Sequence, residues 1–371
     1  MSQFDCAVIG AGVMGCSTAL FLARGGMRVV LIDRGALCRQ ASGVNAGTLT
    51  LQMTRAALIP YAMAAWRMWM ATPEWLAGGD VMARARPGLS VAFTAGEAAM
   101  LEQRARIRGA AGAPIELLSG AAARAIEPGL SPNVVLAGHC PVDGFASAYL
   151  TGRAFMGALR HAGVEVREHH PVSAILREAT GFRIGDIAVT RVGDIAATRI
   201  VLAGGVWLGD LAAMLGVGLR IRTLINQLIV TAPLHQVMRT VLGVASGLLS
   251  LKQYDNGSVL VGGGWQGAGD RHGGPLALRM DSLLGNLRLA AHTIPALREA
   301  VVLRAWLGLE AETDDALPVL GPLPGVSDAW AIGSVHSGYT SGPFMGKILA
   351  QAILGTPPDL PLFPLDRLLP A

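Results

Sequence analysis

Four carboxylates crowd one short stretch. Glu310, Glu312, Asp314 and Asp315 fall within Ala305–Gly321, in a chain whose net charge is +4. Acids this close can share a proton, hold a cation or simply form a solvated turn. A second constellation lies at the other end of the chain. Gly10, Gly12 and Gly15 form G-x-G-x-x-G, and Asp33 followed by Arg34 comes about 20 residues later. Glycines at this spacing permit a tight turn, close approach of a pyrophosphate and close helix–strand packing. The acid binds ribose hydroxyls.

These groups need elements to hold them. Cys6–Ile9 reads as a buried strand, Cys16–Arg24 as a helix stopped by Gly25-Gly26, and Arg28–Ile32 as a second buried strand. Strand, glycines, helix, strand and acid fall in the order that puts a helix N-terminus against phosphates. The expected fold is α/β: a Rossmann-like dinucleotide-binding domain with a discontinuous α+β substrate domain that contains a mixed sheet. Leu224–Leu234 and Gly257–Gly267 read as strands of that sheet, and Pro275–Leu297 has helical spacing. No internal repeat is evident.

Composition narrows the function classes. With 371 residues, 52% hydrophobic and 15% charged, the chain has ample core for two domains and no signature of disorder. Lys252 and Lys347 are the two lysines, and the arginines are spread without a basic block, so no nucleic-acid partner is expected. Cys6, Cys16, Cys38 and Cys140 show no CxxC spacing and no nearby His pattern, so no zinc site is expected, and a reducing cytoplasm fits. No run of about 18 apolar residues occurs and no leader precedes the first strand, so no transmembrane span or export is expected. The apolar Ala62–Trp75 stretch is interrupted by Arg67 and reads as core or subunit contact.

The nucleotide pattern alone does not separate NAD from FAD. The next segment, Arg39–Leu49, is polar and small-residued, as a flavin passing close to the backbone requires. Here the chain resembles the D-amino-acid-oxidase superfamily of flavoproteins. Ser42, Asn45, Ala46 and Gly47 match its second flavin segment. The resemblance covers the whole chain. Gly163–Ile175 is similar to the strand pair that touches the adenine, pointing to Val172. Arg199–Leu211 is similar to the strand that ends in Ala203, Gly204 and Trp207 under the nucleotide. Asp315–Gly355 is similar to the C-terminal flavin motif, with Gly338, Tyr339, Thr340 and Ser341 at its turn, and Phe363–Leu368 to the tail.

The resemblance implies non-covalent FAD, because no cysteine stands near Leu309, where some relatives attach the flavin. It implies a division into residues 1–75, 141–215 and 318–371 for FAD and 76–140 and 216–317 for substrate. It places His336 and Tyr339 beside the isoalloxazine, with Tyr254 a further candidate. A helix starting near Pro343 would direct its N-terminal charge at the flavin, with Lys347 solvated on it. The lysine that promotes oxygen reaction in one branch is missing from Ser258–Trp265, and both lysines are expected to lie elsewhere. That implies a dehydrogenase. The look is nearest to the flavin subunits of heteromeric opine, hydroxyproline and proline dehydrogenases, which work with a second redox subunit. The expected reaction is oxidation of the C–N bond of a secondary amine, imino acid or D-amino acid to an imine, by hydride transfer from the adjacent C–H to the flavin. A stand-alone oxidase making hydrogen peroxide and a non-catalytic assembly subunit are the alternatives.

The acidic stretch sharpens this. Trp306, Gly308, Leu309, Thr313, Asp315 and Pro318 keep step with glycine-oxidase-like relatives, and their carboxylate-binding arginine falls at Glu310. Three options stay open. The substrate acid is held elsewhere, by Arg304 or Tyr339; the substrate is cationic, as a guanidino opine or a diamine; or Glu310 pairs with an arginine, Arg304 or one from a partner. Glu312, Asp314 and Asp315 read as turn residues.

Overall fold

The computed structural model describes residues 3–185, 195–272 and 275–369. Its first sheet is built on the N-terminal strand Gln3–Ile9, which pairs in parallel with Val29–Ile32 on one side and Ile195–Leu202 on the other. Glu165–Arg167 extends it beyond Val29–Ile32, again in parallel. Ala174–Glu178 and Gly181–Gly185 form an antiparallel hairpin at the other edge. Ala329–Gly333 joins Ile195–Leu202 in parallel and carries Val319–Pro322 antiparallel to it. The strand Val29–Ile32 is buried at every position, as a parallel sheet covered on both faces demands.

Helices cover one face. Val13–Arg24, Ile59–Met70, Ala148–His161 and Gly338–Ile353 share one apolar cluster with Cys6, Val8 and Leu31. The Ile59–Met70 helix carries most of the apolar Ala62–Trp75 stretch, and it buries Tyr61, Ala65 and Trp69 against this core. The hairpin strands, the segment around Leu208–Leu219 and the C-terminal Leu365 and Leu368 cover the opposite face.

Among the described residues the second sheet has eight strands. Val302–Glu312 at one edge runs antiparallel to Arg222–Thr231, followed in order by Val259–Gly262, Ser250–Gln253, Val241–Val244, Gly88–Ala92, Leu136–Cys140 and Glu116–Ser119. Among the described residues only the Val241–Val244 and Gly88–Ala92 pairing is parallel, so the sheet is mixed. The Met280–Thr293 helix packs on it, within the longer stretch whose spacing predicted a helix.

Two of the differences from expectation bear on the site. The C-terminal helix starts at Gly338, and Pro343 lies inside it. Proline has no N–H to bond the carbonyl of Tyr339 one turn back. The Trp69 indole takes over: Nε1 donates to Tyr339 O at 3.1 Å and to Thr340 O at 3.0 Å. Glu312 is the last residue of a strand rather than part of a turn. Its carboxylate is held by Arg55 (3.1 Å) and Arg222 (3.0 Å).

Candidate functional site

The glycine turn is folded as its spacing requires. Gly10 has φ +111°, and a Cβ there would stand 2.3 Å from Ala203 O, so no other residue fits without moving backbone. Gly12 differs: a Cβ would meet only Ser42 Oγ, at 3.2 Å. Its missing side chain leaves room toward the cavity. The helix begins at Val13, whose N–H donates to Ser42 Oγ at 2.9 Å. Asp33 ends its strand and accepts from Ala11 N (2.7 Å) and Gly35 N (2.8 Å), which ties it to the turn. Arg34 stacks over the Trp207 ring at 3.5 Å.

One cavity of about 600 Å³ runs from Gly12 and Gly15 past Ser42, Asn45 and Ala46 to Ala203, and on to the start of the C-terminal helix. The Asn45 side chain holds this loop in shape, donating to Ala41 O (2.8 Å) and Ser42 O (2.9 Å) and accepting from Gly47 N (2.6 Å). Gly338 and Thr340 line the cavity at the helix N-terminus, and Thr340 Oγ1 donates to Thr48 O at 3.1 Å. Ser341 is turned back onto Ser337 O. Gly204, Trp207 and Val172 lie outside the cavity wall; Val172 packs at the margin of the apolar cluster on the sheet's second face.

The elongated FAD expected from the sequence fits this space. Ser334 lines the cavity, and its buried Oγ has no partner among the described residues. The unused amides at the start of a long helix point the same way. Ser334 and Ser337, on either side of His336, both have φ in the left-handed region, +53° and +66°. Non-glycine residues hold that conformation where the surroundings force it, commonly at functional turns.

The tertiary fold brings Glu310 and His336 together. Glu310 comes from the edge strand of the second sheet, His336 from the turn before the C-terminal helix, and both line the cavity. His336 Nδ1 donates to Glu310 Oε1 at 2.8 Å, and Asn226 Nδ2 donates to Oε2. The carboxylate raises the imidazole pKa above its ordinary value, against the opposing effect of burial. His336 keeps 45% side-chain exposure, so this shift is partly screened.

Several expectations are corrected here. Glu310 pairs with a histidine, not an arginine. Arg304 is exposed and stacks on Trp306 at 5.0 Å, away from the cavity wall. The arginines that serve the acidic stretch bond the other acids: Arg222 and Arg220 reach Asp314, and Arg367 reaches Asp315 at 2.6 Å. Tyr339 borders the cavity, but its ring stacks on Trp69 (4.6 Å) and its hydroxyl bonds Thr151 Oγ1 (2.8 Å), so the phenol is committed to the core. Tyr254 is outside the cavity, edge-on to Phe145 at 5.2 Å.

Lys252 lies outside Ser258–Trp265, as expected, but on the neighbouring strand Ser250–Gln253 and close behind the site. It is fully buried, and its ammonium donates to Ala46 O at 2.7 Å and to Thr48 Oγ1, behind the loop that lines the cavity. Burial lowers its pKa to about 7. Lys347 instead pairs with Asp359 at 2.8 Å. Sequence reasoning also passed over Asn226, Gln52, Arg104 and Arg108, all in the cavity wall. Only the i, i+4 spacing of the two arginines hinted that they share a helix face.

Comparison with known proteins places this geometry. The family described as DAO, FAD dependent oxidoreductase, matches residues 5–352. Glycine oxidase of Geobacillus kaustophilus (strain HTA426) is 26% identical over 360 residues, spanning 95% of this chain and 93% of that protein. One of the subunits of opine oxidase from Rhizobium meliloti is 26% identical over 375 residues, spanning 95% and 94%. The solved L-proline dehydrogenase from P. horikoshii shares the fold, with a TM-score of 0.87 at 22% identity over 97% of this chain and 96% of that one. Among the described residues no helix is long and apolar enough to cross a membrane.

Proposed function

This chain belongs to the DAO family of FAD-dependent oxidoreductases, which act on amines and amino acids, and on that premise we propose that it oxidises the C–N bond of a secondary amine or imino acid of the opine or hydroxyproline type, as the catalytic subunit of a heteromeric dehydrogenase. The observation that carries this reading is the Glu310–His336 pair in the cavity wall. An acid and an imidazole suit a substrate that arrives with N–H groups to donate and a proton to lose. The similarity to a subunit of opine oxidase supports the substrate class and the subunit role.

The residues divide the work. Gly10, Gly12, Gly15, Ser42, Asn45, Ala46 and Gly47 would hold the cofactor, with Asp33 at its ribose and Gly338–Thr340 at its ring end. Bound FAD supplies the two-electron acceptor. His336 Nδ1–H points at Glu310, which leaves Nε2 as the free acceptor. A substrate ammonium gives its proton there, and the nitrogen lone pair becomes available as the hydride departs. Glu310 fixes the tautomer and stabilises the imidazolium that forms. The product imine hydrolyses in water.

A second reading is favoured by one observation. Lys252 stands behind the Ala46–Thr48 loop, so the absence of lysine from Ser258–Trp265 does not argue against oxygen reactivity as the sequence suggested. That reading is a stand-alone oxidase. Anaerobic bleaching of the flavin by a panel of sarcosine, L-proline, D-hydroxyproline, D-amino acids and opines identifies the substrate. Slow reoxidation in air then supports the dehydrogenase, and rapid peroxide release refutes it. No bleaching by any amine removes the proposal altogether.

A further inference from the structure

The amine chemistry leaves the most basic part of the cavity unused. We propose that Arg104, Arg108 and Gln52 form an anion subsite that binds a substrate carboxylate remote from the nitrogen being oxidised. The inference rests on the amine-oxidation reading above and specifies its substrate: an elongated amine carrying an acid group several bonds from the reacting C–N bond.

The two arginines sit on the helix Ala95–Ala110, whose start is fixed by a reciprocal Thr94–Glu97 capping box. Spaced i, i+4, they share the face that buries Leu101 and Ala105, and both line the cavity. Arg104 donates to Ala245 O, and Arg108 Nε donates to Thr54 O at 2.9 Å. These bonds anchor each guanidinium and leave most of its five N–H groups over. Among the described residues neither arginine forms an ion pair. Burial and the neighbouring charge of Arg104 hold the Arg108 pKa down, to about 10. Asp143 lies within electrostatic reach, but its oxygens accept from Thr50 Oγ1 (2.8 Å) and Leu51 N (2.7 Å), and burial raises its pKa to about 7. It is therefore a weak counter-charge.

Gln52 is the independent observation. It is 6% exposed, lines the same cavity, and its Nε2 has no partner among the described residues. A buried unpaired donor and two partly desolvated like charges are each unfavourable alone. One carboxylate relieves all three, because its two oxygens accept several N–H bonds in the bidentate geometry guanidinium favours.

The placement also sets the substrate's extent. Ala245, the anchor of Arg104, follows the strand Val241–Val244. That strand is four places along the sheet from the one carrying Glu310. At roughly 4.8 Å per place the backbones are about 19 Å apart along the sheet, less where it twists. Arginine side chains reach in from one end and Glu310 and His336 from the other, so a small amino acid such as glycine would leave the far end unfilled.

The test is calorimetric titration of the purified holoenzyme, with its FAD content measured separately. The probes are glutarate and succinate, each against its diamide. The wild type is expected to bind the diacids at least tenfold more tightly than the diamides. Arg104→Met and Arg108→Met are each expected to lose most of that preference, and Gln52→Leu part of it. Arg108→Lys retains charge but not the fork and is expected to keep a reduced preference, which preserves the test if Arg108→Met does not fold. No preference in the wild type overturns the proposal, as does an unchanged preference in the arginine variants. If diacid preference stands while no amine bleaches the flavin, the amine reading fails and the anion subsite survives.

Discussion

Replacing Glu310 with glutamine tests the site in a single atom. Glu310 Oε1 accepts from His336 Nδ1 at 2.8 Å, and Oε2 accepts from Asn226 Nδ2. Asn226 cannot turn over, because its Oδ1 already accepts from Gln266 Nε2. The new amide must therefore set its oxygen toward Asn226 and its NH₂ toward His336. His336 Nδ1 then becomes an acceptor, and the ring proton moves to Nε2. The cavity-facing nitrogen changes from base to donor. A positioned base contributes about 10²–10⁴-fold to rate, so the flavin bleaching rate at saturating amine is expected to fall by at least roughly a hundredfold. A charge-assisted hydrogen bond is also lost, worth about 1.5–3 kcal/mol where well ordered. KM is expected to rise far more for a cationic amine than for a neutral one. In the wild type the bleaching rate rises with pH through a His336 pKa above the free-imidazole value, and the variant loses that inflection. The stability sign follows from the same shift. The raised folded pKa makes the ion pair's contribution complete below the unfolded imidazole pKa, and lost as pH climbs through the folded one. The melting difference between wild type and variant should thus be larger at about pH 6 than at about pH 9. Anaerobic stopped-flow across that range reads the rates. Identical pH profiles and identical KM ratios in the two proteins would refute the reasoning.

Other substitutions separate structural from functional roles. Gly10→Ala forces a Cβ to 2.3 Å from Ala203 O at φ +111°, and is expected to cost more than about 2 kcal/mol and lose flavin together. Gly12→Ala meets only Ser42 Oγ at 3.2 Å; chemical denaturation should shift by under about 1 kcal/mol while FAD retention falls, and equal retention would remove Gly12 from the cofactor site. Trp69→Phe leaves Tyr339 O without a donor opposite Pro343, an expected loss of about 1–3 kcal/mol by urea unfolding. Lys252 has a folded pKa lowered to about 7 by burial. Between there and the free-lysine value the unfolded chain binds the extra proton, so stability gains with rising pH. Lys252→Met should flatten that part of the melting-temperature profile, and an unchanged slope would show that the ammonium is not desolvated.

The cofactor half was legible because its determinants are local. The strand Gln3–Ile9, the turn through Gly10, Gly12 and Gly15, and Asp33 at the next strand end occupy one short run, where backbone sterics and helix-terminal charge dictate residue types at fixed offsets. The resemblance extended that reading to Ser42–Gly47 and Gly338–Ser341, and the family match supports the fold. It also drew attention to Glu310, because the residue there has the wrong charge for its relatives. The partner of Glu310 was another matter. His336 is 26 positions away, in the turn before the C-terminal helix, and a carboxylate beside arginines in sequence offers no means of choosing among them. The surroundings of Lys252 were hidden for the same reason: adjacency to Ala46 comes from packing of one sheet against the other's loop, 206 residues away in the chain. Tyr339 shows the converse. Its position in the motif was readable, but the direction of its ring depended on Trp69 and Thr151, from two other helices. Sequence by itself determined the cofactor turn, because that follows from short-range backbone geometry, and its resemblance to known flavoproteins pointed to the family of the fold. Only the tertiary structure decided which polar groups meet across the cavity, because side-chain partnership depends on three-dimensional packing between segments that the chain keeps far apart.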